Sequence, residues 1–131
     1  MMRAHGPLAR MGIAACITAC ASAPLGSDTR ALDAVGIAPY GLHDECFDLA
    51  VGDKLDYRYE SRGPVDFDLR YREDGFVVSP IVRPHSIADS DIFEALVPAR
   101  YCATWQAGAQ ALAVTYRLIV RRARARGPSS R

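Results

Sequence analysis

Several things are scarce in this chain, and each absence narrows its function. There is one lysine, Lys54, against fifteen arginines. That bias reads as genome composition and not as mechanism. Methionine stops at Met11, so no thioether is left downstream as an axial copper ligand. Histidine beyond the first twenty residues is limited to His43 and His85. No Gly-x-Ser-x-Gly elbow and no EF-hand loop occur, which removes the commonest hydrolase and calcium signatures. No segment shows sustained helical periodicity, and no apolar run is long enough to cross a bilayer as a helix.

Acid is missing from both ends. Residues 28–116 hold all 15 acidic residues against 8 basic ones, a balance of −7. The last fifteen residues carry six arginines (Arg117, Arg121, Arg122, Arg124, Arg126 and Arg131) and no acid. The overall charge of +1 therefore conceals an acidic body with a basic tail. The tail, 121–131, has no apolar face to bury and is expected to be disordered.

The first residues look like an export signal, 1–19. Arg3 and Arg10 are its only charges, and Met11 to Ala19 is a short apolar run. It ends in Ile17-Thr18-Ala19-Cys20, which resembles the lipobox of bacterial lipoproteins. In that family the cysteine is lipidated and becomes the first mature residue. Ile13-Ala14-Ala15-Cys16 also fits, but it leaves a very short apolar core, so Cys20 is preferred. An ordinary cleaved signal is the alternative. Ala21, not Asp, follows the cysteine; by the same resemblance this implies the outer membrane, with the domain on its periplasmic face. Two or more acyl chains hold a protein stably on a bilayer. Residues 20–42, rich in Ala, Gly, Pro and Ser, read as a tether. As a flexible coil, about 22 residues span roughly 25 Å.

What is abundant is alternation. In Leu55 to Arg72, Leu55, Tyr57 and Tyr59 face one way, and Asp56, Arg58 and Glu60 the other. Beyond Ser61-Arg62-Gly63-Pro64, Val65, Phe67, Leu69 and Tyr71 alternate with Asp66, Asp68, Arg70 and Arg72. Period two on either side of a Gly-Pro break predicts a hairpin of two half-buried strands. Further strands are expected at Cys46–Val51, Phe76–Ser79, Ile92–Val97, Tyr101–Trp105 and Leu112–Val120. Pro80 and Pro84 demote residues 80–91 to an edge or loop. About seven strands without a helix predict an all-β domain over 43–120, an antiparallel β-sandwich. Its expected core is Phe47, Leu49, Leu55, Tyr57, Val65, Phe67, Leu69, Phe76, Phe93, Trp105, Leu112, Val114 and Tyr116.

A core of this size is marginal, and Cys46 and Cys102 invite a disulfide in an exported chain. Closing a loop of about 57 residues stabilises by roughly 4 kcal/mol in the chain-entropy view. Two unpaired buried thiols are the alternative. In sequence order come Cys46, Gly52-Asp53, Pro64-Val65-Asp66-Phe67, and Tyr101-Cys102-Ala103-Thr104-Trp105 before a last long strand. This order resembles the GOLD (Golgi-dynamics) domain over about Cys46 to Val120. The resemblance implies a GOLD-like or jelly-roll-like sandwich with one disulfide, recognising protein or lipid and doing no catalysis. The coiled coil and membrane helix that follow that domain in cargo receptors are not expected here, so only the fold and a binding habit carry over.

The candidate recognition surface is Asp66, Asp68, Arg70 and Arg72. The plainer reading is a solvated face in cross-strand pairs with Asp56, Arg58 and Glu60. A copper or zinc set of His43, His85 and Cys102, and calcium at Asp66 and Asp68 or Asp89 and Asp91, are weaker readings; no metal and no cofactor is expected. The expected function is a lipid-anchored, non-catalytic interaction module of the envelope, with a protein or lipid partner and no nucleic acid. The second reading is a small hydrolase using His85 with a nearby serine or aspartate.

Overall fold

The structure is a computed structural model that describes residues 27–123. Six strands follow in order: β1 (Ser27–Ile37), β2 (Leu42–Leu49), β3 (Lys54–Glu73), β4 (Phe76–Glu94), β5 (Ala99–Ala107) and β6 (Leu112–Arg121). All pairings are antiparallel, and no helix occurs among the described residues. The domain is all-β, as the alternation predicts.

The architecture turns on β3. Its first half, from Lys54 to Ser61, pairs with β6; its second half, from Val65 to Arg70, pairs with β5. β4 runs along the other edge of both halves. One sheet is thereby curled into two layers. The first comprises β1, β6, the first half of β3 and the end of β4. The second comprises β2, β5, the second half of β3 and the start of β4.

The expected hairpin at Ser61-Arg62-Gly63-Pro64 is therefore corrected. Leu55 to Glu60 and Val65 to Arg72 are two stretches of one strand and do not pair with each other. Between Glu60–Ala88 and Val65–Ser86, four residues of β3 pass against one of β4. Pro64 has no N–H to give to a ladder, so the pairing must be interrupted there. A bulge that bends a strand meets that demand as well as a turn does. From sequence the two look alike, because both need a Gly-Pro break between alternating runs.

Two more strand boundaries differ. Phe76–Ser79 and Ile92–Val97 belong to one edge strand, β4, which ends at Glu94. Residues 80–91 stay in the ladder, with register shifts around Pro80 and Pro84. The edge position holds; the loop does not. The tether expected over 20–42 is, from Ser27 to Ile37, strand β1 on β6. Only Val35 and Ile37 of β1 reach the core, and a bulge between Leu32 and Val35 breaks the register. Too few inward side chains remain to print a period. Two mergers and one added strand turn seven into six.

The core lies between the layers. Trp105 on β5 stacks on Tyr116 of β6 at 4.5 Å and meets Tyr59 of β3 edge-on at 6.1 Å. Phe67 contacts Tyr59 at 4.6 Å and Tyr57 at 5.1 Å, so the two halves of β3 face one another. Such aromatic pairs contribute roughly 0.5–1.5 kcal/mol beyond their area. Most of the expected core is buried; Phe93 and Leu112 are partly so. Phe76 is the exception, 75% exposed at the β3–β4 turn, because an edge strand at its tip has nothing above it.

The start of the supposed tail is also ordered. Arg121 closes β6, and Arg122 reaches Asp53, Asp28 and the carbonyl of Asp48. Residues 124–131 lie outside the described residues, as do the signal, Cys16 and Cys20.

Candidate functional site

Cys46 and Cys102 are directly opposed on β2 and β5 and form a disulfide. Their neighbours Phe47, Tyr101 and Ala103 point inward, so the disulfide sits on the outer face of the second layer. The same face carries Asp66, Asp68, Arg70 and Arg72 from β3, as their alternation requires. Arg70 lies opposite Cys102 and Asp68 opposite Thr104.

The four residues do not act as one unit. Asp66 Oδ1 accepts the backbone N–H of His85 at 2.9 Å. Asp68 pairs with Arg70 at 2.9 Å, and its second oxygen accepts from Ser79 Oγ at 3.5 Å. The acidic end of the face is thus taken up internally. The expected cross-strand pairs with Asp56, Arg58 and Glu60 do not form, since those residues lie in the other layer. There, Asp56 meets Arg121 at 3.4 Å, and Arg58 meets Glu60 at 3.9 Å.

The basic end is different. Arg70 and Arg72 join Arg100 around a groove of about 300 Å³, walled by Tyr71, Val77 and Cys102. Arg100 was not singled out from sequence. Its signal was available: it lies two residues before Cys102 on the outward register of β5, as Arg72 lies two beyond Arg70 on β3. The pairing of those strands was what the sequence left open.

A second polar cluster closes the gap between the layers at β1, β2 and β6. Tyr116 Oη donates to Glu45 Oε1 at 2.7 Å. With that proton committed, His43 Nε2 donates to Tyr116 Oη at 2.8 Å. Arg30 bonds the other oxygen of Glu45 at 2.8 Å and lies over the Phe47 ring at 4.7 Å. Burial works against the charge on Glu45, but the bonds from Arg30 and Tyr116 outweigh it and hold the carboxyl below its ordinary range. Burial and the Glu45 contact push the Tyr116 hydroxyl far above its usual value. A carboxylate held ionised and a phenol held protonated make a poor acid–base pair near neutrality. The cluster fits a polar seal over Trp105.

His85 is exposed on a β4 bulge with φ at +49°. Ser86 Oγ accepts from Tyr59 Oη at 2.8 Å and donates to the carbonyl of Ala88 at 3.2 Å. Among the described residues no hydrogen bond joins the His85 ring to a serine or an aspartate. The suggested copper or zinc set is dispersed: His43 faces the interior, His85 lies on the far edge strand, and Cys102 is in the disulfide. Asp44 approaches Cys46 and Cys102 closely, but sulfurs bonded to each other are not thiolate ligands. Of the suggested calcium pairs, Asp89 accepts from Tyr57 at 2.8 Å and meets Arg83 at 3.2 Å; Asp91 accepts from the Ile92 N–H.

No protein-family model matches this chain, and the curated proteins contain no match to it.

Proposed function

We propose that the protein is a lipid-anchored, extracytoplasmic interaction module of the cell envelope that works without catalysis, attached through Cys20 on the periplasmic face of the outer membrane. The observation that carries the reading is the outer face of the second layer. A disulfide and a groove with three arginines lie side by side on one sheet face. The disulfide suits an oxidising compartment, and the Ile17-Thr18-Ala19-Cys20 motif suits lipid attachment. The GOLD-like order of Cys46, Pro64-Val65-Asp66-Phe67 and Tyr101-Cys102 favours recognition over reaction.

Two measurements test it. Metabolic labelling with a fatty acid marks the wild type and is lost in Cys20→Ala; labelling that survives the substitution removes the anchor from the reading. Affinity capture from detergent-solubilised envelope, with wild type beside Arg72→Gln/Arg100→Gln, tests the binding face. Retention of one envelope component by wild type alone supports the reading. Identical capture by both chains removes this face from it.

A further inference from the structure

Three arginines converge on the outer face of the second layer, where Asp48 of β2 lies opposite Arg100 but outside ion-pair distance. Arg72 and Arg100 lie on adjacent strands, each two residues past the Arg70–Cys102 pair, and project to the same side. Like charges in that relation repel and destabilise a sheet. Arg70 is partly neutralised by Asp68 at 2.9 Å. Arg72 and Arg100 have no carboxylate within ion-pair distance among the described residues. Exposed Val77 gives the groove an apolar wall, with Tyr71 and Cys102 also lining it.

We propose that the Arg70–Arg72–Arg100 groove binds a phosphate group carried on a partly apolar molecule. A single carboxylate is satisfied by one guanidinium fork. Two unpaired forks and a third half-paired one exceed what one carboxylate can use and match a phosphate, whose two or three terminal oxygens carry one or two charges. The apolar wall takes the carbon next to that phosphate. A phospholipid headgroup and a soluble phosphate ester share this chemistry, and position favours the lipid. β1 runs antiparallel to β6 and starts where β6 ends, beside the turn after β2. β3 ends, and β5 begins, at that same end of the sandwich. Six residues lie between Cys20 and Ser27, so seven Cα–Cα steps give a reach of at most about 25 Å. A lipid on Cys20 therefore keeps this end near the bilayer.

The proposal rests on the binding-module reading for its choice of face, but its test needs neither lipid anchor nor protein partner. The full chain carrying Cys20→Ser is titrated with glycerol 3-phosphate, with monomeric dihexanoyl phosphatidylglycerol, and with acetate. Arginine Nε–Hε signals are followed by NMR. Both phosphates are expected to shift Arg70, Arg72 and Arg100, and Arg72→Gln/Arg100→Gln is expected to weaken binding about tenfold or more with an unchanged melting temperature. Tighter binding of the short-chain lipid identifies a headgroup as the source, and equal binding identifies a soluble ester. Shifts that acetate reproduces, that Arg58 on the other layer shares equally, or that the double variant leaves intact overturn the proposal. A groove silent to phosphate with envelope capture retained sinks this proposal alone; the converse sinks the protein partner.

Discussion

Asp53 Oδ2 and Arg122 Nη1 lie 3.0 Å apart and fasten the turn after β2 to the chain leaving β6. Asp53 is almost fully buried and also accepts the backbone N–H groups of Ala50 and Ala123 at 2.9 and 2.8 Å. Burial alone disfavours its charge, but those donors and Arg122 reverse the balance and lower its pKa. A carboxyl whose folded pKa is depressed adds stability above its unfolded value, near 3.8. That stability is lost as pH falls through the depressed folded value. Asp53→Ala is expected to cost about 2–3 kcal/mol at neutral pH. Chemical denaturation across an acid pH series checks this: the difference from wild type shrinks as the pH drops. A constant difference at every pH contradicts it.

The Cys46–Cys102 link spans 56 positions of sequence. Its loss relaxes the unfolded chain, and the expected cost is about 2–4 kcal/mol. Urea unfolding of the oxidised protein, and of Cys46→Ala/Cys102→Ala, measures it. The transition midpoint falls while the circular dichroism of the folded state stays β-type.

Alternation puts both Phe67 and Phe76 in the expected core, and the fold separates them. Phe67 is 1% exposed among Tyr57, Tyr59 and Trp105. Phe67→Ala is expected to cost about 3–5 kcal/mol. Phe76→Ala is expected to stay within about 0.5 kcal/mol of wild type. Equal losses at the two sites would mean that the β3–β4 turn is covered in solution.

Tyr116→Phe removes a donor to Glu45 and an acceptor for His43 while keeping the ring on Trp105. A loss of about 1–2 kcal/mol is expected. The Glu45 carboxyl, no longer bonded by the phenol, titrates at higher pH than in wild type. NMR of the Glu45 side chain reads that shift directly.

The faces of the strands were legible wherever one side of a strand is buried. Asp66, Asp68, Arg70 and Arg72 were placed outward by alternation alone, and they are outward. The groove was not legible, because Arg72 and Arg100 are 28 residues apart and meet only through the β3–β5 pairing. β1 was hidden for another reason: an edge strand with two inward residues has almost no pattern to read.

Side-chain chemistry, repeated at every second position, decided by itself that this chain forms β-structure and which face of most strands leaves water, Phe76 and β1 excepted. It also supplied the two cysteines. Which strand lies beside which was decided only in three dimensions. Backbone N–H and C=O groups carry no residue identity, so a break at Gly63-Pro64 serves a hairpin and a folded-over strand equally. The packing of Trp105 against Tyr59 and Tyr116 goes with the second, and the β3–β5 pairing brings Arg100 beside Arg70 and Arg72 in one groove.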